Sequence, residues 1–144
     1  VGILAVFEIA RRKQSFEESM SKITSSNDAF NTLDGTLSDL QHEEFWVLLL
    51  NRGNIPTKKY RLSAGGVSGT VVDVKMLVKE AVNELSSGVI LFHNHPSGNL
   101  SPSEADKQVT NKVKNALNLM DIQLLDHIII ANNSYYSFAD EGLM

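Results

Sequence analysis

The chain contains no cysteine, and this absence excludes several kinds of chemistry. Without Cys among its 144 residues it can form no disulfide framework, no thiolate metal site and no cysteine nucleophile. Any zinc ion would have to be bound by nitrogen and oxygen ligands. A deaminase-like use of zinc is disfavoured for the same reason, because such sites normally include cysteine ligands.

Long apolar segments and an excess of positive charge are also missing. No apolar run approaches the roughly 20 residues that a membrane-spanning helix needs, so no membrane partner is expected. The N-terminal stretch VGILAVFEIARRK has its basic residues after its apolar part, the reverse of a signal peptide. Thirteen basic and seventeen acidic side chains give a formal net charge of −4, which does not favour nucleic acid as a partner. The composition predicts a cytoplasmic protein.

What remains is typical of one globular domain. A chain of 144 residues with 42% hydrophobic content can bury a substantial core. Residues 1–22 are interpreted as the end of a truncated N-terminal helical region with a linker. There, an apolar helix pattern is followed by Arg11, Arg12 and Lys13, and no initiator Met precedes it. The predicted domain occupies residues 23–144.

Helix and strand patterns alternate along this domain. The expected elements are a helix in SSNDAFNTLDGTLSDLQ, a β-hairpin around NRGNIP, a helix capped by Asp73, a buried strand at VILF, a helix over residues 102–120 capped by Ser101, and strands at IQLLDHIIIA and SYYSF. Strands separated by helices of this length imply βαβ units. The predicted fold class is therefore α/β, with a mixed, partly parallel sheet flanked by helices.

The densest group of reactive side chains follows the buried strand, in HNHPSGNLSPSEAD at residues 93–106. His93 and His95 are two positions apart in an extended segment, so both imidazoles point to one side and can bind one ion. Asp106 falls in the first turns of the next helix, with Ser103 three residues earlier on the same helical face. Two nitrogens and one carboxylate oxygen leave a fourth tetrahedral position for water, the open arrangement of a catalytic zinc site.

A hydrolytic zinc site also needs a general base that moves a proton from water to a leaving amine. Glu44 is the favoured candidate, because it begins the strand EFWVLLL, which could lie beside VILFHNH. Glu43 stays open as the alternative, since strand alternation lets only one of two adjacent residues face the site. His127 is interpreted as a strand histidine satisfied by a neighbour, with a role behind the metal ligands as the alternative.

The string HNHPSGNLSPSEAD resembles the JAMM (MPN+/JAB) metalloprotease pattern of His-x-His, seven residues, Ser, two residues and Asp, with an upstream Glu. HEEFWVLLLNRGN and LLDHIIIANNSYYSFADEGL extend the resemblance to the bacterial RadC family over about residues 40–144. This resemblance implies an α/β/α fold related to the cytidine deaminases. The site residues that it implies are zinc ligands at His93, His95 and Asp106, a general base at Glu44, and an oxyanion donor at Ser103.

The first hypothesis for function is therefore a zinc-dependent hydrolase of the JAMM class, which cleaves a peptide or isopeptide bond through a zinc-activated water. The alternative is a DNA-repair-associated or DNA-binding module with a structural or vestigial zinc site, which the RadC resemblance suggests and the charge does not support. The strand edge TKKYRL could support a homodimer or hold a substrate chain as an added strand.

Overall fold

The computed structural model describes residues 2–9, 20–65 and 71–144. The helices are α1 (residues 2–9), α2 (Ser26–Leu37), α3 (Val74–Asn83) and α4 (Glu104–Asn118). The strands are β1 (Glu44–Leu50), β2 (Pro56–Ala64), β3 (Gly88–Asn94), β4 (Gln123–Ala131) and β5 (Ser134–Ser137). Within these ranges no helix is long and apolar enough to cross a membrane. The basic cluster at residues 11–13, used to interpret the first helix, lies outside the described residues.

The strands form one five-stranded sheet in the order β2-β1-β3-β4-β5. β3 and β4 are parallel and are joined through α4, while the β1–β2, β1–β3 and β4–β5 pairs are antiparallel. A parallel pair needs a long crossover, which the helix α4 supplies. The predicted fold class, a mixed α/β sheet flanked by helices, is therefore confirmed, and TKKYRL lies in the edge strand β2.

Both faces of the sheet are covered by helices. On the face that we call the α4 face, alternate residues of β1 and β3 pack on α3 and α4. The strand residues are Phe45, Val47, Leu49, Val89 and Leu91, and the helix residues are Leu77, Ala81, Val113 and Leu117. On the opposite face, the α2 face, the intervening strand residues pack on α2. The strand residues are Leu48, Leu50, Ile90 and Phe92, and the helix residues are Ala29, Phe30, Leu33 and Leu37. Successive strand residues point to opposite faces, so a residue's position in β1 or β3 decides which layer it enters.

The start of α4 differs from the prediction. Ser103, and not Ser101, is the N-cap: its Oγ accepts the Asp106 N–H at 3.1 Å, and Asp106 Oδ2 accepts the Ser103 N–H at 2.7 Å. This is a reciprocal capping box. Ser101 is held in the preceding turn, because the Asn99 side chain accepts its N–H at 3.0 Å and the Asn99 carbonyl contacts His95. Both serines have an acidic residue three positions later, so spacing alone could not distinguish them.

Gly98 shapes the turn between β3 and α4. Its φ of 85° lies in the left-handed region, where a side chain is unfavourable. A Cβ atom at this position would lie 2.6 Å from Asn132 Nδ2 in the β4–β5 turn. The Gly98 N–H also donates to the His95 carbonyl at 3.0 Å. The turn therefore packs closely on its neighbour and returns the chain to the end of β3.

Candidate metal centre

Three side chains meet where β3 ends and α4 begins. His93 lies near the end of β3 on the α4 face, and His95 follows two residues later, where its N–H donates to the Ile130 carbonyl of β4 at 2.9 Å. The capped first turn of α4 carries Asp106 to the same place. Each of the three residues offers one ligand atom, and these atoms lie within 4.8 Å of one another. The group could hold a metal ion.

The distances within this group are those of a compact donor set. His93 Nε2 lies 2.8 Å from His95 Nε2 and 3.1 Å from Asp106 Oδ1, and His95 Nε2 lies 3.4 Å from Asp106 Oδ2. Ligands about 2.0–2.1 Å from a tetrahedral zinc ion lie roughly 3.3 Å apart. The side chains are 3%, 13% and 16% exposed in that order, so the site is sheltered yet open on one side.

The hydrogen bond of His95 fits the donor set that a metal requires. His95 Nδ1 lies 2.6 Å from the Asn99 carbonyl, which can only accept, so Nδ1 must carry the hydrogen. In the neutral ring, the lone pair of Nε2 is then directed at His93 and Asp106. Neutral imidazole nitrogens and a carboxylate are preferred zinc ligands, and a second hydrogen bond behind a ligating histidine is typical of such sites. The residues present therefore fit a zinc ion.

The charges in the site also favour a cation. Burial by itself would raise the pKa of Asp106, but hydrogen bonds and charge from His93 and His95, with the Ser103 N–H, hold that pKa far below its usual range. Burial would lower the pKa of His95, but Asp106, the Asn99 carbonyl and the charge of Glu43 raise it. The Asp106 carboxylate is therefore ionised at neutral pH.

Glu44 is placed away from the three converging side chains. Its carboxylate accepts from Trp46 Nε1 at 2.7 Å and Arg61 Nη1 at 3.1 Å, and lies 2.9 Å from His42 Nε2. Trp46 belongs to the α2 face, and Glu44 shares that face because it is two residues away in the same strand. Burial by itself would raise the pKa of Glu44, but these partners lower it.

Glu43 has the opposite orientation. The β1–β2 pairing continues past the strand end, because the Gly65 N–H donates to the Glu43 carbonyl at 2.9 Å. Alternation then directs the Glu43 side chain to the face of Phe45, which stacks on His93 with ring centroids 5.8 Å apart. Glu43 is partly buried, and its charge contributes to the raised pKa of His95. Of the two adjacent glutamates, Glu43 is therefore the one on the sheet face that carries His93.

Ser103 lies at the edge of the site as the cap of α4. Its Oγ accepts the Asp106 N–H, and Ser103 is exposed to solvent. In the hydrogen bonds of the described residues this Oγ acts as an acceptor, which leaves its hydroxyl hydrogen for another partner. The structure thus places Ser103 beside Asp106, with a structural role that the sequence analysis assigned to Ser101.

His127 lies directly behind His93 and is completely buried. Its Nε2 is 2.8 Å from His93 Nδ1, and its Nδ1 is 2.7 Å from the Thr110 hydroxyl of α4. Burial lowers the pKa of His127 well below its usual value, so the ring is neutral. The sequence analysis expected a neighbour that satisfies this ring but could not identify it. In the structure that neighbour is a residue of the metal centre.

Comparisons with known proteins agree with this architecture. The sequence model of the family described as RadC-like JAB domain matches residues 23–143. A UPF0758 protein of Flavobacterium johnsoniae is 48% identical over 144 residues, which cover 99% of this chain and 63% of that protein. A UPF0758 protein of Porphyromonas gingivalis is 45% identical over 146 residues, which cover 100% of this chain and 64% of that protein. The chain spans slightly less than two thirds of the length of these curated relatives.

Proposed function

Because the chain belongs to the RadC-like JAB domain family, we propose that it is a zinc-dependent hydrolase of the JAMM type that cleaves peptide or isopeptide bonds. The observation that carries the proposal is the convergence of His93, His95 and Asp106 within 4.8 Å at the end of the central strand β3. Two imidazole nitrogens and one carboxylate oxygen match the open ligand sets of catalytic zinc sites.

The three converging residues would hold the ion, and their surroundings support that assignment. His93 is 3% exposed and is fixed from behind by His127, whereas His95 and Asp106 lie nearer the opening. When bound, zinc would polarise a substrate carbonyl and lower the pKa of a water molecule towards about 7. The chain itself must then supply a group that moves the proton.

Glu43 is the proposed general base, in preference to Glu44. Its side chain is directed to the face that carries His93, so it can take a proton from water and pass it to the leaving amine. Glu44 is a weaker candidate for two reasons. Its carboxylate is occupied by Trp46 and Arg61, which reduce its affinity for a proton, and it is directed to the α2 face.

Ser103 is the proposed donor to the carbonyl oxygen as that oxygen gains negative charge. Its position supports this role, because the capping box fixes its Oγ beside Asp106 while the hydroxyl hydrogen is available. Removal of one such donor costs roughly 10²–10³ in rate in other enzymes. A role at the helix cap and a role towards substrate are compatible, since the first uses the lone pair and the second uses the hydrogen.

A peptide substrate is supported by the position of β2. This strand is at one edge of the sheet, and its last residue, Ala64, pairs with Glu44 at the end that carries the metal centre. An extended peptide that added to β2 as a further strand would run towards the site, and backbone hydrogen bonds would supply affinity without demanding one sequence. A protein or peptide chain is therefore the proposed substrate class.

Matched glutamine variants test the proposal. We expect the wild type to bind about one zinc ion per chain and to cleave members of a library of peptide and isopeptide substrates. Glu43→Gln should keep zinc and lose turnover by roughly 10²–10⁴-fold, Glu44→Gln should keep both, and His95→Ala should lose both. Zinc is measured by elemental analysis and turnover by mass spectrometry of the products.

The two halves of the proposal fail separately in this experiment. A wild-type protein that takes up no zinc under metal-replete conditions would overturn the hydrolase assignment. A zinc-loaded Glu43→Gln variant with full activity, beside an inactive Glu44→Gln variant, would return the general base to Glu44.

A further inference from the structure

A buried line of hydrogen bonds connects the backbone of α4 to His93. The Thr110 hydroxyl lies 2.7 Å from the Asp106 carbonyl and 2.7 Å from His127 Nδ1, and His127 Nε2 lies 2.8 Å from His93 Nδ1. Thr110 and His127 are 1% and 0% exposed. Neither residue touches the position that the three ligand atoms surround, so their role must be exerted through His93.

The direction of each hydrogen bond follows from the acceptor at the α4 end, the Asp106 carbonyl. The Asp106 carbonyl can only accept, so Thr110 donates its single hydroxyl hydrogen to it. The Thr110 oxygen can then only accept from the imidazole of His127. His127 therefore carries a hydrogen on Nδ1.

The remaining nitrogen of His127 decides the state of His93. A fully buried imidazole without a carboxylate among its described hydrogen-bond partners is neutral, and a neutral ring carries one N–H. Because that hydrogen is on Nδ1, Nε2 of His127 accepts, and His93 must donate from its own Nδ1. In the neutral form of His93, the lone pair of Nε2 is then directed at His95 and Asp106.

The ring of His127 is also held against rotation. Phe138 stacks on it with ring centroids 4.8 Å apart, and Phe45 meets it edge-on at 5.5 Å. A flipped ring would put Cδ2 and Cε1 where Nδ1 and Nε2 now lie and would break both hydrogen bonds, so nothing would then fix the hydrogen of His93 on Nδ1. The aromatic neighbours therefore preserve the direction of the whole line.

We propose that Thr110 and His127 are positioning residues, which hold His93 in the Nδ1–H tautomer with Nε2 ready for zinc. This inference rests on the proposed function, because it concerns the same metal centre. It also couples two ligands, since the side chain of Asp106 contributes one ligand while its carbonyl starts the line that orients His93. One turn of α4 thus organises both.

The experiment compares Thr110→Val with Thr110→Ser and with Val113→Ala. Valine removes the hydroxyl at nearly constant volume, serine keeps it, and Val113→Ala disturbs the buried face of the same helix without a change to the line. Zinc affinity is measured by competition with a chromophoric chelator. The tautomer of His93 in zinc-free protein is read from the ¹⁵N chemical shifts of its imidazole.

The expected wild-type spectrum shows His93 with its hydrogen on Nδ1. Thr110→Val should give mixed tautomers and about 10–100-fold weaker zinc binding, the usual effect of losing a hydrogen-bond partner behind a ligand. Thr110→Ser and Val113→Ala should keep the wild-type tautomer and zinc affinity, even though Val113→Ala lowers stability.

Two outcomes would overturn the inference. One is a wild-type protein with the His93 hydrogen on Nε2, and the other is a Thr110→Val variant with unchanged tautomer and zinc affinity. Failure of the proposed function has a different signature: the wild type would take up no zinc, while the imidazole spectrum would still decide the direction of the hydrogen bonds.

Discussion

Among single residues, Glu44 is a buried carboxylate with three side-chain partners. It is 6% exposed and has hydrogen bonds from Trp46 and Arg61 and a short contact with His42. Charge-assisted hydrogen bonds of this kind favour the ionised form, which is why the pKa of Glu44 lies below its usual value despite burial. A carboxylate in this setting stabilises the fold and is a poor proton acceptor.

Glu44→Gln should therefore reduce stability in a way that depends on pH. A folded-state pKa below the unfolded value of 4.5 contributes stability above that pH, and the contribution is lost as the pH falls through the folded pKa. We expect the variant to lose free energy of unfolding at pH 7, and the difference from wild type to shrink well below pH 4.5. Urea unfolding at both pH values measures this. The exposed Glu141→Gln is the control, and an equal loss at both pH values would mean that the ionised state is not the cause.

Within the elements, the first turn of α4 carries a structural and a chemical role on the same residue. Asp106 Oδ2 accepts the Ser103 N–H and lies 3.4 Å from His95 Nε2, while Oδ1 lies 3.1 Å from His93 Nε2. The capping box therefore fixes the rotamer of a ligand as well as the start of a helix. Precise orientation of a ligand by surrounding hydrogen bonds raises metal affinity.

The cap of α4 can be tested with two serines. Ser103→Ala removes the acceptor of the Asp106 N–H and should lower the free energy of unfolding by about 1 kcal/mol. Ser101→Ala, two residues away in the preceding turn, should change it by less than about 0.5 kcal/mol. Chemical denaturation gives both values, and Ser103→Thr should restore the stability. A larger loss for Ser101→Ala would place the cap where the sequence alone suggested it.

In the whole molecule, the candidate metal centre joins two parts of the βαβ unit. His93 and His95 belong to the end of β3 and the residue that follows it, and Asp106 belongs to α4, which crosses to the parallel strand β4. The unfolded chain does not hold these three groups in one geometry. A bound ion would therefore stabilise the native state by linking the sheet to the helix that covers it.

Zinc should accordingly raise the thermal unfolding temperature. A ligand at 100 times its Kd contributes about 2.7 kcal/mol, which corresponds to a rise of roughly 5–20 °C for domains around this size. A chelator should reverse the shift, and His95→Ala should abolish it. Magnesium, which prefers oxygen ligands, is the control and should have little effect. Differential scanning calorimetry measures the shift, and an equal response of His95→Ala to zinc would place the ion elsewhere.

Much of the fold and part of the site were predictable because they rest on local patterns. Apolar periodicity located α2, α3, α4 and the strands, and the i, i+2 spacing of His93 and His95 already required that both imidazoles share a side. The grouping of these two residues with Asp106 needed only a strand, a turn and a helix in sequence order. Such patterns lie within short stretches of the sequence, so they do not depend on how the rest of the chain folds.

The sequence by itself thus determined the α/β class, the RadC-like family and the residues that could hold a metal. Only the tertiary structure decided which glutamate shares the sheet face of His93, which serine caps α4, and that His127 lies behind His93. The choice of glutamate depends on which helices cover each face of the sheet. The choice of serine depends on the contact of the Asn99 turn with His95, and the place of His127 depends on the register of β4 with β3. The reason is physical: a local pattern restricts the direction of a side chain, but its partners come from segments distant in sequence that meet only in the folded core.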